Sequence, residues 1–194
     1  MSPETDSRAK WDARYAARHG EMKKPSRWVL EQCRAFAPES LVCDIAGGEG
    51  RHALPVAVLG HNVVLVDFSE VAVRNAQRRS LKISGVVADV AALPFRAQTF
   101  DAVIVTNFLE RDLFATFVAL LKPGGHLVYE TYTTHHAALV AAGLSSAPQN
   151  ARYLLQPGEL RRLVASLTVI DYRETDITDE AGRRACASIH AINS

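Results

Sequence analysis

Two acidic residues flank a glycine-rich turn that could hold a small ligand. An apolar run reaches Asp44, the turn follows over residues 46–50, and a second apolar run ends at Asp67, 17 positions after Gly50 (67 − 50). Glycines let the backbone pass close to a ligand, and free amides at the start of the next helix donate hydrogen bonds. A carboxylate at the end of the neighbouring parallel strand can accept from a ribose. The spacing therefore predicts a nucleoside-like ligand.

The turn is compatible with two kinds of ligand. The segment 48–53 fits G-x-G-x-x-A, the dinucleotide pattern in which a helix N-terminus holds a pyrophosphate. Asp44 and Glu49 argue against that ligand, because both acids would lie near the dianion and like charges repel. A ligand with an ammonium and a sulfonium group is favoured instead. An NAD(P)-dependent oxidoreductase stays open as the alternative.

The order of apolar runs and helix patterns predicts an α/β fold with a doubly wound, mostly parallel sheet. Three successive runs end in an acid, at Asp44, Asp67 and Asp89. Ligands of such sheets bind outside the carboxyl ends of the strands, so we expect the three acids at one crevice. Two last strands, about 167–173 and 184–192, predict an antiparallel hairpin around the turn 176–182.

With these motifs the chain resembles the class I methyltransferases, which use S-adenosylmethionine. The first motif of that family reads acid, apolar, Gly, x, Gly, x, Gly, and Ala46 here replaces the first glycine. The family's L-P-F and F-D-x-V elements are matched at 93–95 and 100–103, and its K-P-G-G turn at 122–125. The resemblance extends from Trp11 to Ile192. It implies a Rossmann-like sheet of seven strands that ends in the antiparallel hairpin.

Within that family the chain looks closest to small bacterial methyltransferases of the tellurite-resistance type. The segments that carry this finer resemblance are 46–53, 129–131 and 154–160. It implies methyl transfer to a small-molecule acceptor, with a thiol or a chalcogen as the nucleophile. A non-catalytic regulatory protein that binds S-adenosylmethionine is the other alternative, since the sequence does not establish turnover.

The resemblance implies S-adenosylmethionine as the cofactor and S-adenosylhomocysteine as its product. Asp67 would accept both ribose hydroxyls, because one carboxylate can accept two hydrogen bonds together. Asp44 would face the ammonium group, and Asp89 with the amide of Val90 would read the adenine edge. The residues expected to bind the cofactor are Asp44, Ala46, Gly47, Gly48, Gly50, Asp67, Phe68, Ser69, Asp89, Val90 and Asn107.

Polar side chains near the same strand ends could orient the acceptor. They are Tyr15, Arg111, Glu130, Tyr132, His135 and His136. The adjacent histidines have no third ligand at a recognisable spacing, so we expect no metal site. The catalytic residues are unassigned, and a soft nucleophile aligned with a sulfonium methyl needs no dedicated base.

The composition of the chain indicates which classes of partner it binds and which cell compartment it occupies. The 22 basic and 21 acidic residues leave a net charge of +1, so the wide positive field of a nucleic-acid binder is not indicated. No apolar run approaches the roughly 20 residues of a membrane helix. Three scattered cysteines suit buried thiols in a reducing compartment, which predicts a cytoplasmic protein.

We expect a single domain over 1–194, as a monomer or a homodimer. Within it, residues 1–24 are predicted to be a lid segment that begins with ten disordered residues. Its Trp11, Arg14 and Tyr15 lie at helical spacing, as in the W-x-x-R-Y segment that covers the cofactor in the family. Residues 131–155 are predicted to be a loop and helix insertion on the substrate side.

Overall fold

The structure, a computed structural model, describes residues 3–17, 22–146, 148–179 and 182–194. Its helices are α1 (Pro3–Ala16), α2 (Arg27–Cys33), α3 (Ala53–Val58), α4 (Glu70–Gln77), α5 (Phe114–Leu120), α6 (His135–Ala141) and α7 (Glu159–Leu163). Its strands are β1 (Leu41–Ile45), β2 (Asn62–Asp67), β3 (Ile83–Val87), β4 (Phe100–Thr106), β5 (Leu121–Tyr132), β6 (Thr168–Asp179) and β7 (Gly182–Ile192). Short 3-10 turns lie at Val90–Ala92, Arg111–Leu113 and Ala151–Tyr153.

The strands form one seven-stranded sheet in the order β3-β2-β1-β4-β5-β7-β6. The pairs β1–β2, β2–β3 and β4–β5 are parallel, whereas β7 is antiparallel to both β5 and β6. This topology confirms the predicted α/β fold with a mostly parallel sheet and a C-terminal antiparallel hairpin. Contacts divide the chain into two compact units, Met1–Phe95 and Arg96–Ser194.

The first unit packs helices on strands whose inward side chains are almost wholly apolar. Val42, Ile45 and Leu65 are fully buried, as expected for parallel strands covered on both faces. Helix α4 begins because the Ser69 hydroxyl oxygen accepts from the Ala72 N–H, which satisfies one of the free amides of its first turn. The C-terminal ends of β1 and β2 thus lead directly into the turns that precede α3 and α4.

The second unit is built around an aromatic cluster. Tyr129 of β5 is fully buried and packs against Phe114 and Phe117 of α5, with ring centroids 4.9 and 6.3 Å away. Its hydroxyl donates to the Phe108 carbonyl over 2.6 Å, so the polar end of the ring is satisfied inside the core. This bond also ties the turn after β4 to the neighbouring strand.

Several predicted boundaries were wrong. Residues 3–10 are not disordered, because α1 starts at Pro3, and a proline at the first helical position favours such a start. Strand β3 begins at Ile83, well before the strand-end acid Asp89 that marks it in the sequence, because its pairing with β2 starts there. Strand β5 begins at Leu121, before the expected K-P-G-G turn, and the turn itself lies inside the strand as a register shift where Gly124 has φ +74°.

Other predictions on chain organisation stay predictions. The lid segment 1–24 and the insertion 131–155 lie in part outside the described residues. The predicted hairpin turn 176–182 was too long, because β6 continues to Asp179 and β7 begins at Gly182, so the paired strands take up most of that range. Among the residues that the structure covers, no helix is long and apolar enough to cross a membrane.

Candidate functional site

Asp44 is a buried carboxylate at the end of β1. Its side chain is 1% exposed, and its Oδ2 accepts from the Ala53 N–H at the start of α3 over 3.1 Å. The other oxygen, Oδ1, is buried and has no hydrogen-bond partner among the described protein atoms. Burial raises the pKa of Asp44 to about 7, against the opposing effects of Arg51 and the Ala53 amide. The orphaned oxygen can therefore accept from a donor supplied by a ligand.

The turn after β1 has a backbone that only small residues fit. A Cβ on Gly47 would come within 2.9 Å of the Asp44 carboxyl carbon and 3.0 Å of Leu65. Gly48 and Gly50 adopt φ values of +56° and +80°, in the left-handed region that favours glycine. Ala46 is in the same region with φ +52°, which is strained for a residue with a Cβ.

Asp67 closes the turn from the end of β2. Its Oδ2 accepts from the Gly48 N–H and its Oδ1 from the Ser69 N–H, each over 2.9 Å. Burial raises the pKa of Asp67 despite these two amides. Each carboxylate oxygen has about two lone pairs, so both oxygens can still accept from a pair of hydroxyls.

Helix α1 lies against the same turn. The Asp12 carboxylate accepts from the Ser69 hydroxyl and, over 3.4 Å, from the Val71 N–H at the start of α4. One turn further along α1, Tyr15 is 9% exposed, and a Cβ on Gly48 would meet its hydroxyl oxygen at 2.7 Å. The rings of Trp11 and Tyr15 stack with centroids 5.8 Å apart. The helix thus covers the glycine turn with an aromatic side chain.

Two hydrogen bonds outside the predicted set brace the turn. The Glu49 carboxylate, 4% exposed, accepts from the Asn75 side-chain amide over 3.0 Å. The His52 ring accepts from the Ser26 N–H over 2.9 Å and so connects the turn to the start of α2. Sequence reasoning missed Asn75, His52 and Ser26, since nothing in their local spacing points to residues 26 positions away.

The expected adenine-side residues follow β3 and β2. Asp89 is exposed, and its Oδ1 accepts from the Ala91 N–H in the 3-10 turn. Val90 in that turn is buried. Phe68, which follows Asp67 in the sequence, is half-buried. The amide of Ala88 donates to the Asp67 carbonyl over 3.1 Å, which holds the two strand ends together.

The charges around the turn distinguish between the two ligands that the sequence permits. Asp44, Glu49 and Asp67 are each at most 5% exposed, and Asp12 lies beside Ser69. The three buried acids next to the glycine turn disfavour a pyrophosphate and favour a cation, and Asp12 adds a fourth acid at the start of α4. The orphaned Asp44 oxygen and the narrow space at Gly47 fit a ligand with an ammonium group that approaches the backbone closely.

The predicted substrate-side residues other than Tyr15 belong to the second unit, and several of them already have partners. Arg111 donates to both carboxylate oxygens of Glu159, over 2.6 and 3.1 Å, and to the carbonyls of Arg152 and Leu154. These bonds raise the pKa of Arg111 and lower that of Glu159. Arg111 therefore fixes the segment 152–159 to the turn after β4.

Glu130 is buried at 2% exposure on the face that β5 shares with β7 and β6. Its Oε2 accepts from the Ser188 hydroxyl over 2.8 Å and from the Arg173 guanidinium over 3.1 Å. Arg184 approaches its other oxygen at 3.7 Å. The pairing with two arginines compensates the cost of burying this carboxylate.

The two adjacent histidines have different surroundings. His136 is fully buried, its Nε2 lies 2.9 Å from the Ser146 carbonyl, and its Nδ1 accepts from the Ala185 N–H. Its ring also packs on Tyr132, with centroids 4.3 Å apart. His135 is exposed and lies 3.4 Å from an Asp176 oxygen. Both ring nitrogens of His136 are thus used within the fold.

Asn107 ends β4 with φ +55°, and its N–H donates to the Glu130 carbonyl over 2.9 Å. Its side chain is exposed. Among the residues that the structure describes, no group of three or more His, Cys, Asp or Glu side chains could hold a metal ion.

The chain is similar in sequence to known methyltransferases. Residues 42–125 match the model of a family described as a methyltransferase domain. The demethylmenaquinone methyltransferase of Renibacterium salmoninarum is 32% identical over 119 residues, which are 59% of this chain and 50% of that protein. The ubiquinone biosynthesis O-methyltransferase of Methylocella silvestris is 33% identical over 164 residues, 73% of this chain and 64% of that protein.

Among solved structures, TehB from Haemophilus influenzae has the same fold. Its TM-score is 0.70 at 19% identity, with 88% of this chain and 63% of that chain covered. The chain spans about half the length of the first curated relatives it matches. The family model and the two relatives therefore show a chain that is similar in sequence to methyltransferases, and TehB shows that the fold is shared.

Proposed function

We propose that this chain transfers a methyl group from S-adenosylmethionine to a small-molecule acceptor. The observation that carries the proposal is the pair of buried carboxylates, Asp44 and Asp67, on either side of the glycine turn. A buried acid with an orphaned oxygen is costly unless a ligand supplies a donor. A ligand with an ammonium group, a sulfonium and two vicinal hydroxyls satisfies both acids.

The residues of the turn have distinct roles in this proposal. Asp44 holds the ammonium group, and Gly47 and Gly48 admit the methionine part of the cofactor close to the backbone. Asp67 accepts from the two ribose hydroxyls while it keeps its bonds to the Gly48 and Ser69 amides. Asp89 and the amide of Val90 hold the adenine edge, with Phe68 beside the ring. The bound cofactor supplies an electrophilic methyl group on a good leaving group.

The remaining members of the predicted set complete the cofactor site. Ala46 shapes the strained start of the turn, and Gly50 with its positive φ directs the chain into α3. Ser69 caps α4 and orients Asp67 through its amide. Asn107 is proposed to reach the cofactor from the end of β4. Tyr15 covers the methionine part and excludes water from it.

Catalysis in this proposal rests on alignment of the acceptor with the methyl group. Proximity and orientation can supply about 7–11 kcal/mol of the barrier, so a soft nucleophile needs no dedicated base. The three cysteines do not serve as nucleophiles, because Cys33, Cys43 and Cys186 are buried. Burial raises the pKa of Cys33 and of Cys186 to about 12, which keeps both thiols protonated.

The acceptor is proposed to be a small molecule with a thiol or chalcogen nucleophile. The net charge of +1 gives no broad phosphate-tracking surface for a nucleic acid. The resemblance of segments 46–53, 129–131 and 154–160 to tellurite-resistance enzymes supports a soft nucleophile. Arg111 and Glu130 would act on the acceptor through the segments they fix, whereas Tyr132 and His135 have more exposed side chains that could contact it.

We further propose a single cytoplasmic domain over 1–194. The buried free cysteines suit a reducing compartment, in which thiols stay unpaired. The contacts of Asp12 with the start of α4 and of Tyr15 with Gly48 support the lid assignment of 1–24.

A turnover assay tests the proposal. Purified protein would be given S-adenosylmethionine labelled in the methyl group and a panel of thiols, selenite and tellurite reduced with thiol, phenols, RNA and bulk protein. We expect label in a volatile or organic-soluble small product. Preferential labelling of RNA or protein would contradict the acceptor class. Cofactor binding without transfer to any acceptor would favour the non-catalytic regulatory protein.

A further inference from the structure

The two outer strands of the sheet differ in how their free edges are protected. Strand β6 carries four charged residues between positions 171 and 176, and its pairing shows a bulge between Val169 and Asp171. Charges, prolines and bulges are the devices that keep edge strands from pairing with other chains. Strand β3, Ile83–Val87, has no charged residue, no proline and no register shift. Its edge is therefore open to another strand.

The hydrogen bonds to β2 show which backbone groups of β3 point outward. The Val63 N–H donates to the Lys82 carbonyl over 2.8 Å, and the Ala88 N–H donates to the Asp67 carbonyl over 3.1 Å. Because backbone groups alternate in direction along a strand, the even-numbered residues of β3 face β2. Ile83, Gly85 and Val87 consequently present their carbonyls to the outer edge, and the last two also present their N–H groups.

Large apolar side chains are exposed around this edge. Leu81, immediately before β3, is fully exposed, and Val87 at its end is 42% exposed. Val58 and Leu59 at the end of α3 are 79% and 45% exposed, and the Lys82 ammonium donates to the adjacent Gly60 carbonyl. These four are most of the large exposed apolar side chains among the described residues, and exposed apolar surface is a mark of interaction sites.

We propose that β3 is the interface of a homodimer in which two copies of this chain pair antiparallel along their β3 edges. A two-fold axis at Gly85 pairs Gly85 with itself and Ile83 with Val87 of the second copy, which uses every outward-facing residue of both strands. Symmetric pairing of this kind is self-complementary and closes at two subunits. The two seven-stranded sheets then form one continuous sheet.

The side chains that flank β3 suit this antiparallel arrangement and disfavour a parallel one. The exposed Leu81 of one copy comes diagonally next to Val87 of the other, so each covers the other's apolar surface. The basic residues before the strand, including Arg78 and Lys82, come near Asp89 of the second copy. A parallel pairing would instead place the basic ends side by side.

The interface is short, so the association is weak. Five residues on each side bury less than the roughly 1,200 Å² of a stable interface, which places the dimer in the transient class. We expect a dissociation constant of about 10–100 µM, equivalent to roughly 5–7 kcal/mol.

Sedimentation velocity from about 1 to about 300 µM protein tests the proposal. This concentration range spans the dissociation constant expected of a transient interface. The parent chain is expected to shift from monomer to dimer, and Leu81→Lys and Val87→Lys are each expected to weaken dimerisation at least tenfold. Ile170→Lys is the matched control, because Ile170 is 54% exposed on the other edge strand, β6. Its dimerisation is expected to equal that of the parent.

Amide hydrogen exchange at the same concentrations provides a second readout that does not depend on the variants. The amides of Gly85 and Val87 should become protected as protein concentration rises, whereas those of Ser84 and Val86 should be protected throughout. The proposal is overturned if the parent stays monomeric at the highest concentration, or if Leu81→Lys and Val87→Lys dimerise like the parent. It is also overturned if Ile170→Lys alone loses the dimer, or if the Gly85 and Val87 amides exchange freely in the dimer.

Discussion

Replacement of Asp44 by Asn is expected to stabilise the folded chain above pH 7 but not at pH 5. The Asp44 carboxyl is 1% exposed, and burial raises its pKa to about 7. In the unfolded chain the same group ionises near pH 3.9, so the folded state keeps a proton that the unfolded state releases between about pH 4 and 7. Stability from this group is therefore full below the unfolded pKa and is lost as pH rises through the folded pKa.

The size of the effect follows from that difference. About three pH units at about 1.4 kcal/mol each give a loss of roughly 4 kcal/mol by pH 8 as an upper value. The Asn side chain avoids this charge but puts an N–H₂ group where Oδ1 has no protein partner, at a cost of about 1–3 kcal/mol. The net stabilisation in Asp44→Asn is then about 1–3 kcal/mol at pH 8.

Urea unfolding followed by circular dichroism at pH 5, 6, 7 and 8 measures this difference. The parent and Asp44→Asn are compared in the same buffers, so that contributions of most other groups cancel. The exposed Glu31, which pairs with Arg27 on the surface of α2, provides the control Glu31→Gln, in which a carboxylate away from the glycine turn is removed. A constant difference between parent and Asp44→Asn from pH 5 to 8 would refute the reasoning, since Asp44 would then be ionised throughout.

Two further predictions concern the turn and the substrate side. Ala46→Gly removes the strain of a left-handed alanine, which costs about 1–2 kcal/mol, but adds about 0.4–1 kcal/mol of unfolded-state entropy, so the free energy of unfolding should rise by up to about 1.6 kcal/mol in urea titrations. A clear loss of stability would show that φ +52° is not strained there. Arg111→Ala frees the segment 152–159 and should lower kcat while the affinity for S-adenosylhomocysteine stays within about threefold. Parental turnover in this variant would remove Arg111 from the account.

Much of the fold was predictable from the spacing of apolar residues and from the turn residues that separate the apolar runs. The runs that end at Asp44 and Asp67 are strands β1 and β2, and the C-terminal hairpin is present with the expected order. The boundaries were less predictable, because pairing partners set the length of a strand. Helix α1 was missed in its first half, since its polar sequence shows no amphipathic pattern and Asp12 and Tyr15 anchor it by contacts distant in sequence.

Those residues of the candidate site that belong to one local motif were predictable from the sequence. The glycines, the strand-end acid and the helix cap at Ser69 can each be recognised from a few neighbouring residues in the sequence. The role of Asp12 depends on a contact with Ser69, 57 positions away, which no local spacing reveals. Arg111 was identified as polar and near the strand ends, yet its four hydrogen bonds to residues 152–159 give it a structural function that the sequence alone did not suggest.

The central claim is that Asp67 and the glycine turn bind the adenosyl cofactor, and titration calorimetry tests it most directly. S-Adenosylhomocysteine should bind the parent chain, and NAD should not. Asp67→Ala should weaken binding more than tenfold, because charged hydrogen bonds contribute about 1.5–3 kcal/mol each, whereas Glu31→Gln should bind like the parent. Tighter binding of NAD, or unchanged affinity in a folded Asp67→Ala variant, would contradict the account.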